Sequence, residues 1–334
     1  MENNGKKGNA FTNHPLVRAI GTQKIVVVMV ILLLAMLFSV MSPAFRQYST
    51  VISIFDYSYY ISFMAIGVTF PLITGGVDLS IGTGMVSAAL VGGYFVTYQG
   101  VPAPVGMLIT LCVGLVLGCL NAFLAAKLEL PPFIATLGSM MVARGLGSIL
   151  TGGMAVAWPP ASDPLGKFRS IFKLNLGGTN VPIGFILVIL SVVLMSTVLN
   201  KTKPGRYIIA LGSNREAARL SGINVVKWQS LAYIISGLFT GLAGIAYAAT
   251  FQTIAPGTGA GLELDAIAGA IIGGTSMNGG YGTIAGTLLG VFVMSLLKTG
   301  LPFIGLQPNW QQIVTGIVLI VAVFIDVLKN AKRA

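Results

Sequence analysis

Charge is what this chain has least of. Only 9% of its 334 residues are Asp, Glu, Lys or Arg, with nine acids among them, against 55% hydrophobic. A water-soluble domain carries roughly a quarter charged residues, so that class is excluded. The two cysteines, Cys112 and Cys119, lie seven apart inside one apolar segment. That spacing suits neither a disulfide framework nor a metal cluster, and both read as packing residues. The single histidine, His14, sits in a polar amino-terminal stretch and reads as solvated. No GxxxxGK followed by Ser or Thr occurs, so the phosphate cradle of a P-loop ATPase is missing. HExxH, a Cys/His cluster and a nucleophile elbow are missing too. The net charge of +11 is no sign of nucleic-acid binding, because the basic residues sit at the ends of apolar runs.

What the chain does have is apolar runs of membrane-spanning length and 43 glycines, small enough to let membrane helices approach closely. The expected fold is an all-α polytopic membrane protein of about ten transmembrane helices, short or broken ones included. The spans fall at 25–42, 57–74, 81–98, 105–126, 133–151, 181–199, 231–250, 283–297 and 311–328, with a short, glycine-broken one inside 263–282. Residues 1–24 form an amino-terminal tail, 25–328 the membrane domain and 329–334 a second tail. Residues 152–180 are the longest polar connection apart from a central loop at about 200–230. An even count puts both termini on one side. That side collects fourteen basic residues, among them Lys6, Lys7, Arg18, Lys24, Lys127, Lys332 and Arg333, and the other side five. The positive-inside rule therefore makes the termini and the central loop cytoplasmic.

The central loop interrupts the apolar chain with GRYIIALGSNREAARLSGINVVK, residues 205–227. It sets Arg206, Arg215, Arg219 and Lys227 against one acid, Glu216. Asn214 is placed as an N-cap and Gly222 as a stop, which predicts a short helix between Asn214 and Ser221. So short a helix is not stable alone, and a partner protein is expected to hold it. There is also an internal echo. GGVDLSIGTGMVSAALVGG (75–93) and GGTSMNGGYGTIAGTLLGV (273–291) each put a glycine-rich break before a small-residue span, on the cytoplasmic side. Transporters built from repeated halves place breaks at matching positions.

Polar groups within spans are costly and therefore informative. Arg144, eleven residues beyond Phe133 and so roughly 16 Å along a helix, reads first as a structural charge paired inside the bundle and second as a solute contact. Asp78 reads as a helix cap, or as a polar group at the inner mouth of a pathway. Glu263 and Asp265 either favour a helix N-terminus or line an outer vestibule. Asn121 and Asn278 are uncharged and suit hydroxyl groups, though in membranes such groups more often hydrogen-bond between helices. These six are the candidate translocation path. Tyr57, Tyr59, Tyr60, Tyr94, Tyr98, Trp228 and Trp310 read as interface anchors.

Glu216-Ala217-Ala218, three further residues and Gly222 resemble the EAA-x3-G signature of permease subunits in binding-protein-dependent ABC importers. Residues 75–82, 131–146, 205–225 and 263–287, in that order and spacing, resemble the ribose, galactoside, xylose and arabinose group in particular. The resemblance runs from near Tyr57 to the end of the chain. It implies a non-catalytic permease subunit in a bacterial inner membrane, in contact with lipid and not with nucleic acid. It also implies an ATPase partner of two nucleotide-binding halves that holds ATP and Mg, so this chain itself binds no cofactor. A second permease copy or paralogue and an extracytoplasmic sugar-binding protein complete the implied assembly. Arg206, Asn214, Arg215, Glu216, Ala217, Ala218, Arg219 and Gly222 are the implied ATPase-coupling residues, the small ones permitting close approach. The competing reading is an ion-coupled secondary transporter, for which Asp78 and Asp265 are the plausible carboxylates.

Overall fold

The computed structural model describes residues 22–331. The tail calls on Lys6, Lys7, His14, Arg18, Lys332 and Arg333 lie outside the described residues. Among those described, nine helices are long and apolar enough to cross a membrane. They are α1 (Thr22–Met41), α2 (Tyr48–Ile73), α3 (Ile81–Tyr98), α4 (Ala103–Ala122), α5 (Pro132–Leu150), α6 (Gly184–Lys201), α9 (Val225–Thr250), α11 (Ile284–Gly300) and α12 (Pro308–Ala331). Two short helices, α7 (Lys203–Ser213) and α8 (Arg215–Leu220), build the central loop, and α10 (Leu262–Ile272) is the expected short span. The architecture is thus the all-α membrane bundle that composition implies.

Helices α2, α3, α9 and α11 form the centre. From Ser58 to Ile73 every residue of α2 is buried, as a helix apolar all round must be. The outer helices α1, α5, α6 and α12 turn apolar side chains such as Leu32, Ile149, Leu190 and Ile320 outward, which suits a lipid surround. One close crossing is between α4 and α9. Each carries a small-xxx-small pair, Gly114 with Gly118 and Gly237 with Gly241. A Cβ at Gly118 would stand 2.7 Å from the Gly237 Cα, and one at Gly114 would stand 2.6 Å from the Gly241 Cα. The two backbones touch where no side chain intervenes.

One end of the bundle is covered by the 152–183 connection. Strand β1 (Val156–Ala157) pairs antiparallel with β4 (Thr253–Ile254), and β2 (Leu174–Leu176) with β3 (Thr179–Val181). Trp158 is buried and donates through Nε1 to the Ala89 carbonyl at 3.0 Å. Arg169 donates to the carbonyls of Pro159 and Ala249, both at 2.9 Å. Its burial draws its pKa below the usual guanidinium value, and these carbonyls help hold the charge where water is scarce. Lys173 pairs with Asp56 at 2.5 Å. These contacts gather residues 48–56, 152–183 and 249–254 at one end, the end expected to lie outside.

Several expectations need correcting. Helix α2 begins nine residues before the predicted span and α9 six before, because their first turns are polar and hydropathy does not register them. Asn224 starts α9 by accepting from the Lys227 amide at 2.9 Å. Tyr59 and Tyr60 are core residues, not interface anchors, whereas Tyr98 and Trp310 are half exposed. Cys112 and Cys119 lie on the exposed side of α4 and do not pack in the core.

The crossing of α4 and α9 yields a prediction. Gly118→Val drives two γ-methyl groups into the α9 backbone, and overpacking of this kind costs about 1–3 kcal/mol. The detergent-solubilised variant is expected to melt earlier than wild type in a thermal denaturation series. An unchanged midpoint would show that the helices are free to separate there.

Candidate functional site

The polar elbow between α6 and α9 is more ordered than its sequence implies. Helix α7, missed from the sequence, begins with Pro204 in its first turn, where a missing amide is harmless. Gly205, Ile208 and Leu211 face inward, and Arg206 faces out. Helix α8 follows after Asn214 alone. The Asn214 Oδ1 accepts from the Ala217 amide at 2.9 Å, as the expected cap. At the other end Gly222 takes φ +79°; its amide donates to the Arg219 carbonyl at 3.0 Å, and the Ile223 amide reaches Ala218 at 3.1 Å. Both bonds of a Schellman motif are present, so a six-residue helix is closed at both ends without help from length. Tyr207 and Trp228, with ring centroids 5.0 Å apart, brace α7 against α9. Lys227 lies 5.1 Å above the Trp228 ring.

The outward surface of this elbow is formed by Arg215, Glu216, Ala217, Arg219 and Leu220. Leu220 is 80% exposed, the largest exposure of any large apolar side chain described. Arg219 pairs with Glu216 at 2.9 Å, but both are open to water and such a pair is worth only about 0.2–0.5 kcal/mol. Ala218 is buried and packs inward, so it does not offer a partner the close approach expected of it. Gly222 acts through its left-handed backbone. Arg215 reaches Glu129 at 4.0 Å, linking the elbow to the α4–α5 turn. Glu129 is the only described non-glycine residue with positive φ, at 55°. A cavity of about 460 Å³ beside α8 is lined by Tyr207, Ser221, Gly222, Ile223, Asn224, Lys227 and Trp228.

Three acids, Asp78, Glu263 and Asp265, are enclosed in the bundle. Asp78 is 1% exposed. Its Oδ1 accepts from the Ser80 amide at 3.0 Å, the Ser80 hydroxyl at 2.6 Å and Asn121 Nδ2 at 3.3 Å; its Oδ2 accepts from Ser236 at 2.7 Å. Ser139 donates to the Asn121 Oδ1 at 2.5 Å. This knot draws α4, α5 and α9 to the foot of α3. Asp78 therefore neither opens onto an inner mouth nor caps the first-turn amides of α3; it holds the extended segment that leads into it. Asp265 is fully buried. It accepts from Tyr57 at 2.5 Å, Lys298 at 3.2 Å and Thr315 at 3.3 Å, joining α2, α10, α11 and α12. Glu263 lies beside Gly82, buried, with Oε1 accepting from the Gly261 amide at 3.0 Å. Neither acid lines an outer vestibule.

Two candidates lie elsewhere. Asn278 is exposed in the break between α10 and α11. Arg144 is on the open side of α5, its guanidinium near Gly257, and makes no ion pair or hydrogen bond among the described residues. The expected pairing inside the bundle is absent: the guanidinium lies against the α9–α10 connection at Gly257, with no carboxylate within ion-pair distance among the described residues. The candidate path residues thus divide into a buried knot (Asp78, Asn121), a buried clasp (Asp265, with Glu263 beside it) and two exposed groups. Sequence reading missed Leu220, Glu129 and Lys298. Only an apolar residue inside a polar helix hinted at Leu220, and a lone basic residue near a span end at Lys298.

A bundle of membrane helices with a capped polar elbow at one end is built like the membrane component of a transport system. The family described as "Branched-chain amino acid transport system / permease component" matches residues 50–323, and the chain belongs to it. Among its relatives, the ribose import permease protein RbsC of Escherichia coli K12 is 36% identical over 89% of this chain and 91% of that protein. The RbsC of Bacillus subtilis is 34% identical over 90% and 91%. The autoinducer 2 import system permease protein LsrC of Photorhabdus luminescens is 33% identical over 91% and 89%.

The clasp yields a prediction. Lys298→Met strands the Asp265 carboxylate in the bundle, and breaking a buried pair costs about 3–5 kcal/mol. Asp265→Leu with Lys298→Met removes both charges and is expected to recover much of the loss. The check is the melting midpoint of each purified variant; equal midpoints for the single and double variants would contradict the pairing.

Proposed function

We propose that this chain is the permease subunit of an ABC importer that moves a monosaccharide into a bacterial cell across the inner membrane. The exposed, doubly capped elbow α7–α8 carries the proposal. It has an apolar knob at Leu220, polar contacts at Arg206, Arg215, Glu216 and Arg219, and a cavity alongside. An apolar centre with a polar rim is the usual anatomy of a protein–protein interface. The names of relatives support a sugar as cargo: ribose for RbsC, galactose and methyl galactoside for MglC of Haemophilus influenzae, fructose for FruG of Bifidobacterium longum.

In this reading an ATPase with two nucleotide-binding halves holds ATP and Mg and receives α8 in a groove. This chain needs neither cofactor nor catalytic group. Closure of the ATPase displaces the elbow, and the membrane helices open outward to accept sugar from an extracytoplasmic binding protein. Their return releases it inside. A second permease, a copy or a paralogue, covers α5. Arg144 stands about 18 Å along α5 from Pro132 at ~1.5 Å per residue, and a charge at such depth is costly against lipid. Gly138 and Gly145 on the same helix have open space around them. The α5 surface thus suits a protein neighbour or the solute path between two permeases. A rival ion-coupled mechanism would need a carboxylate open to an ion, and Asp78 and Asp265 are enclosed by hydrogen bonds and, for Asp265, an ion pair.

Leu220→Asp is expected to weaken ATPase association by about tenfold or more, the scale of a lost hot spot, with sugar uptake falling and the amount of folded permease unchanged. Co-purification and uptake of labelled sugar check this, and wild-type values in both would remove the elbow from coupling. Arg144→Met is expected to leave folded protein at normal abundance while uptake is lost. A fall in abundance matching the fall in uptake would return Arg144 to a structural role.

A further inference from the structure

The internal echo leaves two glycine breaks unexplained by docking at the elbow, and in the folded chain they meet. The first follows α2 at Gly75; the second joins α10 to α11 through 273–283. The Gly280 amide donates to the Ile73 carbonyl at 2.8 Å, a direct backbone bond between them. The carboxyl end of α7 sits on the same spot. A Cβ at Gly212 would collide with both the Ile73 carbonyl and the Gly280 amide. One at Gly279 would stand 2.9 Å from Gly75 N and from Ile73 O, and 3.0 Å from Gly212 O. One at Gly280, where φ is +76°, would stand 2.8 Å from Ser213 Oγ. Real Cβ atoms essentially never come closer than 3.0 Å, so three segments touch almost wholly through backbone, with only the Ser213 hydroxyl between. Such a contact has no rotamers to absorb a displacement, and tightly packed groups transmit strain.

We propose that Gly212, Gly279 and Gly280 are positioning residues that lock the coupling helix α7 onto both helix breaks, so that α2–α3 and α10–α11 are driven by α7 together. The two driven units also meet farther along. A Cβ at Gly82, in the first turn of α3, would stand 2.8 Å from the Glu263 amide at the start of α10. Asp326 of α12 binds the second break through Ser276 Oγ at 3.0 Å and the Met277 amide at 3.1 Å. A push on α7 therefore arrives at the feet of both repeats through one joint made almost wholly of backbone.

The proposal rests on the permease reading only for what the motion accomplishes, and its test is divided accordingly. In the first arm, hydrogen exchange is followed on the purified full chain in lipid nanodiscs. Gly212→Ala is expected to speed exchange by about tenfold in both 74–80 and 273–283. Gly316→Ala, a helical glycine with open space around it, is expected to change neither. Acceleration confined to 203–222, or reaching one break only, overturns the joint. If Gly212→Ala does not fold, Ser213→Leu places a larger, helix-compatible side chain over Gly280 from an exposed position. It is expected to loosen 278–281 by a smaller factor, and no change there overturns the joint equally. In the second arm, Gly212→Ala is expected to bind the ATPase subunit as wild type does while sugar uptake falls about tenfold; uptake at the wild-type level overturns the driving role. If the wild-type chain shows no ATP-dependent uptake, the permease reading fails, and the exchange arm still decides the joint.

Discussion

The hydrogen bond from the Gly280 amide to the Ile73 carbonyl, 2.8 Å long, answers a constraint that governs the whole molecule. In hydrocarbon there is no water to satisfy a backbone group released by a broken helix. Where helices end in glycine-rich turns packed on the bundle, as after α2 and between α10 and α11, protein must satisfy the freed groups. Here the breaks satisfy each other, and the glycines around them remove every side chain that would hold the backbones apart. The polar residues nearby serve the same end. Asp78 supplies acceptors to the Ser80 amide and to three side-chain donors around the first break. Asp326 does so for the second.

This constraint explains why the membrane acids are poor candidates for carrying solute. Asp78 and Asp265 are each surrounded by donors from several helices, and exposing either would leave those donors unpaired. Burial without partners would cost several kcal/mol for each charge, so the enclosed arrangement is the one that lets a nearly uncharged bundle hold acids at all. The charge left open is Arg144, on a helix with little else packed against its outer side. The enclosed acids keep the shape of the bundle, and Arg144 lies on the open side of α5.

Legibility from sequence followed the range of the interactions. Spans set by a continuous apolar run were readable; 81–98 coincides with α3, and the short glycine-broken span is α10. The caps of α8 were readable because Asn214 and Gly222 act within four residues of their targets. Helix α7 was not, because Pro204 and two glycines disguise an 11-residue helix whose inward face, Ile208 and Leu211, shows only once it lies on the bundle. The partners of Asp78 and Asp265 were invisible, since Ser236 is 158 positions from the first and Tyr57 is 208 from the second. The echo of the two breaks was legible as a pattern. Their meeting was not, because nothing in a glycine indicates which backbone it will admit.

The placement of Leu220 follows from the same economy. A helix of six residues gains little from its own hydrogen bonds, so its shape is held by Asn214 at one end and the left-handed Gly222 at the other. Ala218 alone is turned inward as an anchor. With both ends and one face committed, the remaining surface is free to carry a side chain that has no place in water. An exposed leucine weakens nothing in the isolated chain, yet it costs solvation until something covers it. The bundle does not cover it, because Leu220 lies on the face of α8 opposite the inward-turned Ala218. The elbow is thus rigid where it meets the breaks and unsatisfied where it faces outward, which is the combination a helix needs to receive force on one side and deliver it on the other.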